Sequence, residues 1–186
     1  MRTYRIAVIA GSLRKESFSR KIAKYIAGLM PENFEIDLID LSGLDMYNQD
    51  LDDEHRPPQS WVDFRNVIGK ADGFLFVTPE YNRSFPAVLK NALDIASRPM
   101  RENKWGGKPG AIVGVTPGNM FAITGATHLR QPMASLNIQL MLKPEQFIAN
   151  AAALLDENGG VKDAHKQQSL KEYAEAFAKW VEKVLA

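Results

Sequence analysis

Not one of the 186 residues is a cysteine. That absence excludes disulfides, thiol nucleophiles, thiolate zinc sites and iron–sulfur clusters together. Redox chemistry in this chain therefore needs a bound cofactor. No apolar run approaches the length of a membrane span, and the N-terminal apolar stretch is too short for a signal peptide before it meets Gly11–Ser12. A cytoplasmic location is expected. Neither sign of charge is in excess: 23 Lys and Arg stand against 22 Asp and Glu, a formal net charge of +1. The chain as a whole thus offers no electrostatic case for nucleic acid or an anionic membrane. His55, His128 and His165 share no metal-ligand spacing, so no metal site is expected. G-x-S-x-G is missing as well, which removes Ser12 as a hydrolase nucleophile.

What is present alternates. Apolar residues make up 45% and charged ones 24%, the balance of a soluble globular chain, and the length suits one domain over 1–186. Ile6–Ala10, Phe34–Leu41, Gly73–Thr78, Ala111–Val115 and Ile138–Leu142 read as strands, with Pro144 interrupting the last. Between them run helical stripes: Phe18, Ile22, Ile26 and Leu29; then Trp61, Phe64 and Ile68; then Phe85, Leu89, Ala92 and Ala96; then 123–135. Asp163–Leu185 predicts a long amphipathic helix with Leu170, Tyr173, Phe177 and Val181 on one face. Asp50–Pro58 reads as a polar loop, and Trp105 is expected to pack beneath its own loop, 101–110. Strands alternating with helices predict an α/β fold: a doubly wound, five-stranded parallel sheet.

In such sheets ligands bind beyond the carboxyl ends of the strands. "AGSLRKESFSR" (10–20) leaves the first strand there. Gly11 permits a tight turn; Ser12, Ser17 and Ser19 offer hydroxyls; Arg14 adds a charge. The following helix points its unpaired N–H groups into the same space. Together these read as a phosphate site; the plainer alternative is a helix capped by Ser17 after a solvated basic turn. With one glycine, the loop matches neither the three-glycine dinucleotide fingerprint nor the P-loop. A terminal monophosphate, as in a mononucleotide such as FMN, fits hydroxyls in place of glycines.

"TPEYNRSFPAVLKNALD" (78–94) leaves the central strand. Glu80, Tyr81 and Asn82 present a carboxylate, an aromatic plane and an amide, a set suited to a flat heteroaromatic ring; equally, Tyr81 packs, Asn82 turns and Ser84 caps. "GVTPGNM" (114–120) brings Thr116, Gly118 and Asn119 to the next strand's exit, as ring contacts or as a simple turn.

"GSLRKESFSRKIA", "TPEYNRSFPAVLKNALD", the "GKP" before the fourth strand and "HLRQ" (128–131) closely resemble the NADPH-dependent FMN reductase family, in particular its quinone or chromate reductases. The resemblance covers about residues 4 to 150. It implies a flavodoxin-like fold of strand order 2-1-3-4-5, tightly held FMN, NAD(P)H as co-substrate and a homodimer or homotetramer. Carried onto this chain, it implies that Ser12, Arg14, Ser17, Phe18 and Ser19 hold the FMN phosphate, with Leu13 among the cofactor-binding residues. Pro79, Glu80, Tyr81 and Asn82 would flank the ring, and Val115, Thr116 and Gly118 would lie near its edge or the ribityl chain. The activity implied is two-electron, ping-pong transfer from nicotinamide to quinones, chromate, azo compounds or free flavin, with no dedicated catalytic side chain. Two departures stand out: Met120, Phe121 and Ile123 occupy a stretch where relatives often carry small residues, and Ser19 stands where asparagine is common. The rival reading is a flavodoxin-type electron carrier without NAD(P)H turnover; such carriers are commonly strongly acidic, and this chain is not.

Overall fold

The computed structural model describes residues 2–186. At its centre lies β3 (Gly73–Thr78), buried along its whole length. It pairs in parallel with β1 (Tyr4–Ala10) on one side and β4 (Pro109–Val115) on the other, and β1 pairs in turn with β2 (Phe34–Ile39). Alternate residues feed two cores. Ile6, Val8, Leu75, Val77, Ala111 and Val113 pack with α1 (Phe18–Ala27) and α7 (Ala164–Val184). Ala7, Ile9, Phe74, Phe76 and Ile112 pack with α3 (Gln59–Lys70), α4 (Ala87–Ala96) and α5 (Ile123–Ser135). A strand covered on both faces has no polar side, which is why "GFLFVT" shows no alternation. Full burial of Phe74 and Phe76 contributes about 1.5–3 kcal/mol each.

The strand order is 2-1-3-4-5, the doubly wound arrangement expected. The fifth position differs in detail. Instead of one strand over 138–142, two short segments, β5 (Gln139–Leu140) and β6 (Gln146–Ile148), both pair with β4. Leu140 faces Gly110 and Gln146 faces Val113, so six steps (146 − 140) run beside three (113 − 110) and three extra residues bulge from the edge. Pro144 lies in that bulge, where its missing N–H breaks no ladder bond.

One further expectation is corrected. Residues 50–58 are not all loop: α2 (Gln49–Asp53) forms, capped by Asn48 and carrying Asp50 and Asp52 in its first turn, where acidic residues suit the helix dipole. Trp105 packs beneath its own loop, as expected. It is fully buried, contacts Phe64, Phe74 and Phe76, and donates its indole N–H to Leu93 O at 3.0 Å. The "GKP" lysine has a structural task too. Lys108 Nζ donates to Ile68 O and Gly69 O, each at 3.0 Å, closing the last turn of α3; burial pushes its pKa down. A short α6 (Ala151–Leu154) follows β6, and Asp163 caps α7 through Lys166 N.

Ala10 stands opposite Val77, and Thr78 opposite Gly114. The carboxyl ends of β1, β3 and β4 are therefore level, and the loops at 11–17, 79–86 and 116–122 leave from one edge.

Candidate active site

Gly11 continues the ladder for one more bond, its N–H donating to Val77 O at 2.9 Å. A Cβ there would stand 2.6 Å from Leu89 Cδ1 of α4 and 3.1 Å from Pro79 Cδ, so glycine lets the first loop lie tight against the second loop and α4. The chain then runs to Ser17, the N-cap of α1, whose hydroxyl accepts from Arg20 N at 3.2 Å. Ser17 Oγ also lies 3.1 Å from Ser19 Oγ, and Ser12 Oγ accepts a long contact from Arg14 N at 3.4 Å. All three serines are buried. The first turn of α1 holds no acidic residue, so its amides and positive pole meet no charge from within the helix. Glu16, just outside, is engaged by Lys21 at 2.8 Å, whose hydrogen bond and charge hold its carboxyl below the usual carboxylate range. The two sequence readings of this loop are thus compatible: Ser17 caps, and the serine cluster still faces the strand ends.

The second loop doubles back sharply. Tyr81 N donates to Ser84 O at 2.8 Å and Ser84 N to Tyr81 O at 3.0 Å. The two residues between, Asn82 and Arg83, have φ of 51° and 65°, the signature of a type I′ turn. Asparagine tolerates that region and arginine does not. Arg83→Gly is accordingly expected to raise stability by about 1 kcal/mol, since its exposed contacts with Glu80 and Met120 count for little. A rise in the urea midpoint at constant m-value is the check; a fall refutes it. Tyr81 is left 46% exposed, an open aromatic face. Glu80 turns away from solvent, its Oε2 accepting from Gly125 N at 3.0 Å.

In the third loop Thr116 N donates to Ile148 O at 2.8 Å and Gly118 N to Thr116 Oγ1 at 3.2 Å. Phe121 and Ala122 follow, both left-handed. Their carbonyls lie against β4: a Cβ on Gly114 would come within 3.0 Å of Ala122 O and 3.1 Å of Phe121 O. Met120, Phe121 and Ile123 remain about half exposed beside the Tyr81 turn, which Met120 meets through Arg83.

These loops enclose a cavity of about 200 Å³ lined by Ser12, Arg14, Ser17, Phe18, Ser19, Pro79, Glu80, Tyr81, Val115, Thr116 and Pro117. The structure thus brings together ten of the residues singled out in the sequence. Leu13, Asn82 and Gly118 are not in the lining: Leu13 is exposed, Asn82 sits in the turn, and Gly118 O accepts from Asn150 N. Pro117 was missed, although its place between Thr116 and Gly118 marked it. Two larger hollows, about 760 Å³ between α1, the end of β2 and residues 156–160, and 620 Å³ against β2 and α3, lie toward the β2 edge, and the first shares Ser17 with the smaller cavity. His128 Nδ1 lies 3.3 Å from Ser84 Oγ, and Arg130 pairs with Glu145 at 2.6 Å.

The donor set fits a terminal phosphate. The buried Ser12, Ser17 and Ser19 and the exposed Arg14 line the cavity at the start of α1. Both nearby carboxylates are already engaged, Glu16 by Lys21 and Glu80 by the Gly125 amide. Phe18, Tyr81, Val115 and Pro117 add the apolar surface that a polyol chain and flat ring need.

A family model described as NADPH-dependent FMN reductase matches residues 4–153. A 2-hydroxy-1,4-benzoquinone reductase of a Burkholderia species is 44% identical over 177 residues, 95% of this chain and 96% of the relative. A quinone reductase of Pseudomonas putida is 41% identical over 179 residues, 96% of this chain and 95% of that one. Among solved structures, a flavoenzyme NAD(P)H:(acceptor) oxidoreductase from Paracoccus denitrificans superposes with a TM-score of 0.91 at 35% identity, covering 97% and 98% of the two chains.

Proposed function

This chain belongs to the NADPH-dependent FMN reductase family, and on that premise we propose that it is an FMN-dependent NAD(P)H:quinone oxidoreductase. The observation that carries the reading is the buried serine cluster at the amino end of α1, with both neighbouring carboxylates engaged elsewhere. When bound, FMN supplies two-electron transfer between a nicotinamide donor and an acceptor. The chain's residues bind and orient it. Ser12, Ser17, Ser19 and Arg14 would take the phosphate, the Gly11 turn sets their distance from the second loop, and Val115 and Thr116 would flank the ribityl chain. The cavity suits the phosphate and part of that chain, which would leave the ring at the open Tyr81 face. Leu13, Asn82 and Gly118 would serve from the rim. Donor and acceptor would use that face in turn, a ping-pong sequence. No side chain is assigned the role of dedicated acid or base, since hydride transfer between nicotinamide and flavin requires none.

Chromate, azo compounds and free flavin fit the same open face as alternative acceptors. The flavodoxin-type carrier is disfavoured by the near-zero net charge, since steering toward basic partners needs an acidic surface. We place the enzyme in the cytoplasm, where nicotinamide donors are at hand. We take it as a single domain that assembles as a homodimer or homotetramer; the half-exposed Met120, Phe121 and Ile123 support assembly. The test is direct. Purified protein, or apoprotein given FMN, is expected to show a flavin absorbance band that bleaches on anaerobic NADPH addition and returns when a benzoquinone is added. Protein that neither carries nor takes up FMN removes the proposal, and a monomeric mass by light scattering removes the assembly.

A further inference from the structure

Helix α5 starts without a capping side chain of its own. Its N-cap is Ala122, at φ 54°, and its first turn holds no acidic residue; a methyl group accepts no hydrogen bond. An orphan amide nevertheless has a partner from elsewhere in the fold. Gly125, the third residue of the helix, donates its N–H to Glu80 Oε2 at 3.0 Å, across 45 positions of sequence. In a capping box this is the amide that the N-cap side chain serves. The Glu80 side chain is 11% exposed, and its other carboxylate oxygen lies 3.8 Å from Arg83 Nη1. The contact is close on the helix side as well. A Cβ on Gly125 would stand 3.0 Å from Ser84 O and 3.3 Å from Glu80 Cα, so the second loop lies directly on the start of α5.

We infer that Glu80 is a positioning residue: its carboxylate caps α5 from the second loop, and the cap fixes residues 79–84 so that the loop backbone and Tyr81 stay at the cavity. The inference rests on the FMN reading above and deepens it by giving the Glu80 carboxylate a task other than contact with FMN. Both left-handed pairs, Asn82–Arg83 and Phe121–Ala122, flank this bond. Strained backbone of that kind persists only where the surroundings over-determine it, and the Glu80–Gly125 bond ties the two segments to each other.

The test uses the full chain and two readouts. In apoprotein, hydrogen exchange at the Gly125 amide is expected to speed up at least about tenfold in Glu80→Ala. The FMN dissociation constant, read by quenching of flavin fluorescence, is expected to rise about tenfold. Glu80→Gln keeps an oxygen acceptor and is expected to restore both to within about threefold of the parent. Gly125→Ala keeps Glu80 but pushes the loop away, and is expected to weaken FMN binding as Glu80→Ala does; it serves also where Glu80→Ala does not fold. Unchanged exchange in Glu80→Ala overturns the cap. Unchanged FMN affinity overturns the positioning role, and so does a Glu80→Gln variant as impaired as Glu80→Ala. If the parent protein binds no FMN, the functional reading falls, while the exchange measurement still judges the cap.

Discussion

Ser17→Asp is expected to weaken FMN binding at least about 100-fold while leaving the apoprotein as stable as the parent. The two halves of that expectation have separate causes. Ser17 is the N-cap of α1, accepting from Arg20 N at 3.2 Å. Aspartate is as good an N-cap as serine, and its interaction with the helix dipole and the Arg20 amide offsets the cost of burying its carboxylate. The same carboxylate, however, places a negative charge in the buried nook where a phosphate dianion would sit. It would meet the positive pole of α1 first and repel the ligand at close range, where little water screens it. Ser17→Ala is the contrasting variant. It loses the cap at a cost of about 1 kcal/mol but adds no charge, and is expected to cost FMN only the share of affinity carried by one hydroxyl. Urea denaturation of the apoproteins and flavin fluorescence titration separate the effects. If FMN binds the aspartate variant with undiminished affinity, its phosphate does not lie at the start of α1.

Ser17 was legible because it sits at a boundary that two independent patterns define. The apolar run Ile6–Ala10 ends before it and the stripe from Phe18 begins after it. The same holds for Pro79–Tyr81 at the end of β3 and for Val115–Thr116 at the end of β4. The topology rule then requires those three exits to share one edge, and the level register of Ala10 with Val77 and Thr78 with Gly114 meets that requirement. What could not be read is what depends on side chains meeting from distant positions. "PEYN" alone does not reveal that Glu80 reaches Gly125. The break in the fifth strand was half-visible: Pro144 marked an interruption, but nothing local said that pairing with β4 resumes at Gln146. The short helix α2 was hidden for the same reason. "DLDDEHRPP" is polar and breaks with proline, which is what a solvated loop looks like, and the partner that anchors it lies in another helix.

That partner is Arg65, and the second large expected effect is its removal. Asp52 accepts from Arg65 Nη1 at 2.8 Å and Nη2 at 2.7 Å, a two-pronged pair whose side chains are 5% and 9% exposed respectively. Arg65 also donates from Nε to Ile95 O at 2.9 Å, and its guanidinium lies 5.6 Å from the centre of the Trp61 ring. The cation is therefore held by α2, α3 and α4 together. Asp52→Asn keeps the shape but leaves a positive charge buried without its counter-charge, and is expected to cost about 3–5 kcal/mol. Replacing both partners, Asp52→Leu with Arg65→Met, removes two desolvated charges at once and is expected to cost much less than the single change. Urea denaturation of the single and double variants gives the comparison; a double variant as unstable as the single one would show that the pair's charges are not what holds α2 down. The consequence extends toward the cavity, because Asn91 of α4 clamps the same segment, accepting from Tyr47 N at 2.8 Å and donating to Asp45 O at 3.0 Å. α4 in turn carries Leu89, the side chain packed against Gly11. Loss of the Asp52 anchor is thus expected to lower stability first and FMN affinity only through α4, so that FMN added in excess should recover part of the lost stability by mass action.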